Sequence, residues 1–380
     1  MKRVVFAYFC FLFFFGSTVM LSQPKAENSS DDRYLRVDGP CDFVFPRDHG
    51  EHPGYRMEWW YYTGNLTTES GARYGFQLTF FRTQISPSDQ EEAAAVRSAW
   101  RTKQLYFAHT ALSSIDDSRF DYEEKMSRGA VGLAGVERRD DSVRVFLGPW
   151  SAMMEPGIHR LKAATDRFGL DLDLIPTKPP ISHGIHGYSL KGLKPESASC
   201  YYSFTRLKTT GSINMDGKSV PVNGTAWMDH EFSSAPLEEN LTGWDWFSIQ
   251  MNDDTELMIY LLRRKDNNNS DASSGTFIGR SGESHHLDKK DFQVEVLDHW
   301  KSERSGALYP SRWQIRVFPM RLELTVVPNS ADQELITERT TRINYWEGSV
   351  SVKGRRADRS IDGVGYVEMT GYAEPFRLSE

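Results

Sequence analysis

Carboxyl groups stand among aromatic side chains in two short segments, and the spacing sets what chemistry they could do. In Ala226-Trp227-Met228-Asp229-His230-Glu231-Phe232, a straight strand puts Trp227, Asp229 and Glu231 on one face and Met228 and His230 on the other. Two carboxyls close together in a dry site raise each other's pKa, so one can stay protonated and act as an acid. Asp229 or Glu231 is the candidate acid. His230 is expected to support or to hold structure, because strand neighbours form an Asp-His dyad only where a bulge redirects one of them. The plainer alternative is a hydrogen-bonded polar latch between domains.

The second segment is Glu58-Trp59-Trp60-Tyr61-Tyr62-Thr63. Glu58, Trp60 and Tyr62 share one strand face, and Trp59, Tyr61 and Thr63 the other, which predicts a strand covered on both sides. A Glu58 carboxyl against aromatic walls has its charged form disfavoured and could stay protonated near neutral pH. Otherwise it is bonded to an arginine or to backbone N–H groups. Gly243-Trp244-Asp245-Trp246 sets two more indoles on one face, and Tyr345-Trp346-Glu347 and Tyr366-Val367-Glu368 again pair rings with carboxyls. Such rings are ordinarily core. Here Trp60, Tyr61, Tyr62, Trp227, Trp244 and Trp246 also suit a cavity for a greasy molecule with little polar structure.

Other chemistries lose support. There is no Gly-x-Ser-x-Gly elbow, His-Glu-x-x-His, Cys-x-x-Cys, P-loop or Gly-x-Gly-x-x-Gly. His183-Gly184-Ile185-His186-Gly187 reads as a glycine-rich turn rather than a metal site. No spacing calls for a metal or a cofactor.

The elements that must position these residues have a period of two. Tyr74, Phe76, Leu78 and Phe80 alternate with polar residues, as do Phe168, Leu170, Leu172 and Leu174. Phe292, Val294 and Val296, then Trp313, Ile315 and Val317, then Leu322, Leu324 and Val326 repeat the pattern. Asp216-Gly217, Asn223-Gly224, Asp266–Ser274 and Asp362-Gly363 read as turns. One short helix is expected, from a Ser88/Glu91 capping box into Ala93–Val96. Many strands and almost no helix mean a sandwich or barrels. The charged seam Pro236-Leu237-Glu238-Glu239 marks a domain boundary.

The 380 residues carry a net charge of −7, which argues against nucleic acid as a partner. After residue 22 no apolar run is long enough for a membrane helix. Lys2-Arg3 followed by the apolar run Val4–Phe15 and Gly16-Ser17-Thr18 reads as an export signal over 1–22, with cleavage as late as residue 26. A periplasmic or secreted protein is expected, with an uncleaved N-terminal anchor as the lesser alternative. A polar tail over 23–40 follows. Cys41 and Cys200 could pair in an oxidising compartment, or remain two small buried hydrophobes.

Taken together, the segments resemble the AttH/CrtC family of secreted lipocalin-like proteins, which includes carotenoid 1,2-hydratase. The resemblance rests on EWWYYTGNL at 58–66, FQLTFFR at 76–82, AHTAL at 108–112 and HGIHGYSLKG at 183–192. It continues through CYYSFTRL at 200–207, GTAWMDHEFSS at 224–234, GWDWFSIQM at 243–251, DQEL at 332–335, YWEG at 345–348 and GYVEMTGY at 365–372. It is nearer to the exported AttH-like branch, often labelled a secreted hydrolase, than to the carotenoid enzymes.

The resemblance implies an all-β fold of two consecutive lipocalin-like (calycin-type) antiparallel barrels packed together, over 41–236 and 237–380. It also implies a cofactor-independent hydratase. A carboxylic acid would protonate an isolated double bond of an isoprenoid, carotenoid-like or lipid substrate, aromatic faces would steady the cation, and water would add. The family's Asp-His pair maps to Asp229 and His230, with Trp227 and Trp244 as walls of the cavity. At Cys200-Tyr201-Tyr202 the chain departs from the family's run of tyrosines, so a role for the first tyrosine is not carried over. Fungal relatives of similar architecture guide polyene cyclisation. Peripheral membrane contact is a further expectation, and a non-catalytic extracytoplasmic carrier of a hydrophobic ligand is the main rival reading. A hydrolase is the weaker one.

Overall fold

A computed structural model describes residues 34–86, 101–266 and 268–376. The expected leader at 1–22 and the Ser88–Val96 helix lie outside the described residues. The chain is all-β, in two consecutive lipocalin-like sheets.

The first sheet opens with β1 (Met57–Thr67), β2 (Arg73–Gln84), β3 (Gln104–Ser114), β4 (Arg119–Arg128) and β5 (Ala134–Arg139). It continues with β6 (Ser142–Leu147), β7 (Trp150–Glu155), β8 (Ile158–Ala164), β9 (Phe168–Pro176), β10 (Ile181–Ser182) and β11 (Tyr188–Leu190). The long strands β12 (Ala198–Met215) and β13 (Lys218–Ser233) complete it. Its order is β4-β3-β2-β1-β13-β12-β9-β8-β7-β6-β5, with β10 and β11 also on β12. The ends of this path curl until β2, β3 and β4 meet β6, so the sheet is a nearly closed barrel.

The second sheet comprises β14 (Leu241–Met251), β15 (Glu256–Arg264), β16 (Ser274–Ile278), β17 (Ser284–Asp288) and β18 (Phe292–Lys301). After these come β19 (Leu308–Val317), β20 (Leu322–Pro328), β21 (Glu334–Ile336), β22 (Asn344–Arg356) and β23 (Arg359–Thr370). Its order is β17-β16-β15-β14-β23-β22-β20-β19-β18, with β21 on β22, and it forms a half-barrel.

Alternation along each strand sorts the side chains. Trp60, Tyr62, Phe76, Leu78, Phe80 and Met228 fill the first barrel, while Phe247, Ile249, Trp313, Trp346 and Val367 fill the second. The opposite faces of β1, β12, β13, β14 and β23 meet each other, so Tyr61, Tyr201, Trp227, Trp246 and Tyr366 form a third core between the sheets. At about 25 cal/mol per Å² of apolar surface, these large rings make that interface a substantial share of the stability.

Several turn expectations need correction. Asp216-Gly217 does turn the β12–β13 hairpin, both residues lying at positive φ (50° and 80°). Asn223-Gly224 instead lies inside β13. A Cβ on Gly224 would come within 2.0 Å of the Asn65 carbonyl oxygen, so the glycine answers close strand approach. Asp362-Gly363 likewise lies inside β23. Val296 is exposed rather than buried, on β18 at the edge of the second sheet.

The segment before β1 is irregular, with a 3-10 turn at Arg47–His49. A Cys41–Cys200 disulfide ties it to β12, with the Cα atoms 5.8 Å apart. Closing a span of 159 residues restricts the unfolded chain. Reduction, or a Cys41→Ser/Cys200→Ser variant, is expected to lose about 2–5 kcal/mol in denaturant unfolding.

Candidate active site

Asp229 sits in the C-terminal half of β13, opposite Tyr61 of β1 and Ser203 of β12, on the face turned toward the second sheet. Three donors converge on its carboxylate. Trp227 Nε1 donates to Oδ1 at 2.6 Å, Tyr201 Oη donates to Oδ2 at 2.7 Å, and Ser203 Oγ donates to Oδ1. The second sheet closes over it, and Trp246 Nε1 donates to Tyr201 Oη at 3.1 Å. Burial pushes Asp229 up to about 7, outweighing the donors, and Glu231 adds to the rise. A group poised there exchanges a proton readily near neutral pH.

Two further carboxyls face Asp229 from the second sheet. Glu347 of β22 and Glu368 of β23 lie directly opposite each other in the ladder. Both are pushed up, first by burial and then by neighbouring acids, Glu368 to about 7 and Glu347 well above the ordinary carboxyl range. Like charges opposite one another in a sheet repel, so this pair favours keeping protons. Tyr61 Oη donates to Glu347 Oε1 at 2.5 Å, and Trp244 Nε1 to Glu368 Oε2 at 3.2 Å. Trp59, Trp244 and Glu368 are half-buried and form the open edge of the cluster. Glu231 pairs with Lys191 at 3.0 Å, and the Lys191 ammonium lies over the rings of Tyr201 and Tyr260.

The structure thus brings together Asp229, Glu231, Tyr61, Trp227, Trp244 and Trp246, and adds Glu347, Glu368, Tyr201 and Ser203. It separates Glu58, His230, Trp60 and Tyr62, which point into the first barrel on the opposite faces of the same strands. The reading of Glu58 as a protonated acid is corrected. Arg82 Nε lies 2.8 Å from one of its oxygens, while His52 and His230 lie 2.7 and 2.8 Å from the other. These partners outweigh burial and hold Glu58 well below the ordinary range, as a carboxylate. Trp60 and Tyr62 are corrected likewise. The indole donates to the His49 carbonyl at 2.9 Å and the Tyr62 hydroxyl meets His159 at 3.0 Å, so both serve the barrel core.

His230 forms no dyad with Asp229. Its Nε2 faces Glu58 and its Nδ1 faces Tyr202 Oη at 2.9 Å. His52, Glu58 and His230 bring ligand-type atoms within 4.8 Å of one another. The fit to a cation is poor, since Arg82 already neutralises Glu58 and both imidazoles point their nitrogens at it. His186 is exposed, whereas His183 is buried between Ser203 at 2.6 Å and Thr276 at 2.8 Å, so the two imidazoles share no ion. The His183, Ser203 and Asp229 trio is ordered wrongly for a hydrolase. The serine lies between histidine and aspartate and gives its proton to Asp229.

The sequence pattern of the family described as AttH-like matches residues 36–372. A crystal structure of an AttH protein from Nitrosomonas europaea superposes with a TM-score of 0.77 at 33% identity, over 89% of this chain and 100% of that one. Kievitone hydratase from Nectria haematococca gives 0.65 at 13% identity, over 90% and 96% of the chains. CghA with Sch210972 gives 0.53 at 12%, over 90% and 97%. The last two likenesses are of fold. A comparison with curated protein sequences finds no match.

The raised carboxyls make stability depend on pH with a definite sign. An acid whose folded pKa is raised binds its proton more tightly in the folded state, so its contribution is lost as pH rises through the window. For Asp229 that window runs from 3.8 to about 7. Asp229→Asn removes the dependence, so its stability relative to the native chain is expected to improve from pH 4 to pH 7. The limit is about 4 kcal/mol, read by denaturant unfolding at each pH.

Proposed function

The chain belongs to the AttH-like family, and from that premise we propose that it is an exported, cofactor-independent hydratase. It adds water to an isolated double bond of a hydrophobic isoprenoid, carotenoid-like or lipid molecule. One observation carries this reading: Asp229 and Glu347 are buried together under indole and phenol rings with the half-buried Glu368 beside them, and the pKa values of all three are raised to about 7 or beyond.

An isolated alkene is a weak base, and only a carboxylic acid freed from water can protonate it at neutral pH. Protonation leaves a carbocation. The faces of Trp227 and Trp246, whose rings stand edge to face 6.2 Å apart, would steady that charge. Asp229, raised to about 7, changes its proton state readily at neutral pH, with Tyr201, Ser203 and Trp227 fixing its orientation. The half-buried Trp59, Trp244 and Glu368 offer an apolar substrate a way in.

Kievitone hydratase shares the fold and by its name performs a hydration, which supports the reaction class. Export rests on the leader at 1–22, and the Cys41–Cys200 disulfide supports it, because such bonds persist in oxidising compartments. Peripheral contact with a membrane would bring the enzyme to a lipid-dissolved substrate.

The test uses purified protein and an acyclic isoprenoid polyene in heavy-oxygen water, with products read by mass spectrometry. The native chain is expected to form a labelled tertiary alcohol. Asp229→Asn should bind the polyene and lose about 10²–10⁴ in rate. Tight retention of the polyene with no alcohol is the outcome for a carrier and would overturn the hydratase reading.

A further inference from the structure

The interface contains a second group of polar atoms besides those around Asp229. Glu347, Tyr366, Gln77 and Thr63 are each at most 1% exposed, yet Glu347 Oε2, Tyr366 Oη, Gln77 Oε1 and Thr63 Oγ1 have no protein partner. A buried polar atom without a partner costs about 1–3 kcal/mol, so four in one region need an occupant.

The strand registers place them together. Thr63 and Gln77 are opposite each other on β1 and β2, and Gln77 Nε2 reaches Tyr345 Oη, two residues before Glu347 on the same face of β22. Tyr366 is opposite Ser349, two residues after Glu347. Its hydroxyl would lie 3.0 Å from a Cβ on Gly75, two residues before Gln77. Tyr61 completes the ring by bonding the other oxygen of Glu347.

We propose that Glu347 is the proton donor of the hydration reaction, and that Tyr366, Gln77 and Thr63 seat the water that adds. The inference rests on the hydratase reading and deepens it. The two carboxyls differ in their donors. Asp229 accepts three hydrogen bonds, which favour its carboxylate, whereas Glu347 accepts one and leaves Oε2 without a partner and free to carry a proton.

In the reaction, the alkene π pair takes the Oε2 proton, so a C–H bond forms, the O–H bond breaks and the adjacent carbon becomes a cation. The lone pair of the seated water forms the C–O bond, and the water's extra proton passes to the Asp229 carboxylate. Return of that proton to Glu347 resets the pair, with water and alkene consumed and an alcohol formed.

The groups facing Glu347 are Tyr61 from β1, Asp229 from β13, Tyr345 on its own strand, and Tyr366 and Glu368 from β23. The tyrosines are held neutral by burial, so the acids dominate. Activity is expected to rise with pH as Asp229 ionises and to fall at higher pH as Glu347 does.

Glu347→Gln and Tyr366→Phe test the assignment. With the acyclic polyene, Glu347→Gln should lower kcat by about 10²–10⁴ with KM kept, and its residual rate should lose the alkaline fall. Tyr366→Phe, a gentler change, should lower kcat about tenfold with the pH profile intact.

Infrared difference spectra without substrate give a second readout. At pH 8 the native protein should show the carbonyl band of a protonated carboxyl, absent in Glu347→Gln and present in a Glu58→Gln control. Native-level turnover in Glu347→Gln, or a band that survives it, would overturn the proposal. If the native chain forms no alcohol, the hydratase reading falls together with the donor role. The infrared result still decides whether Glu347 keeps its proton.

Discussion

Removal of a few carboxyl groups from water, between two sheets that pack face to face, is the constraint on which the rest depends. A lone buried carboxylate is costly, and each acid here meets that cost by keeping a proton or by gathering donors. Asp229 takes three donors, two of them from β12 and one from its own strand. Glu347, opposite Glu368 on the neighbouring strand, keeps its proton instead. Their state depends on the second sheet being seated. Trp246 bonds Tyr201, and Tyr61 bonds Glu347, so the same contacts that join the sheets also set the proton affinities.

The first barrel solves a similar problem in the opposite way. Glu58 is as deeply buried as Glu347, yet it is ionised, because Arg82 and two histidines surround it. One strand, β1, therefore carries a stabilising ion-pair network on one face and the aromatic wall of the candidate active site on the other. The period of two makes that division possible, since adjacent residues such as Trp60 and Tyr61 never share surroundings.

Much of this was legible in the sequence. Alternation alone places Trp227, Asp229 and Glu231 on one face and His230 on the other, and it gives Tyr74–Phe80 and Phe168–Leu174 one apolar face each, the face that lines the first barrel. Long-range partners were not legible. Arg82 meets Glu58 only through the β1–β2 register, and Glu347 meets Glu368 only through the β22–β23 register. Tyr61 meets Glu347 across the sheets, 286 residues apart in sequence. The rings beside Glu347 and Glu368 were visible, but nothing local distinguishes their carboxyls from ordinary surface acids. Asn223-Gly224 failed as a turn for a related reason. A glycine needed for close strand approach has the same local signature as one needed for a turn.

The central claim is that the interface holds protonated carboxylic acids at neutral pH. Neutron diffraction from deuterated crystals at pH 7 tests it most directly, by locating deuterons on carboxyl oxygens. The account predicts a deuteron on Glu347 Oε2 and none on Glu58. A bare Glu347 carboxylate beside a bare Asp229 would contradict it.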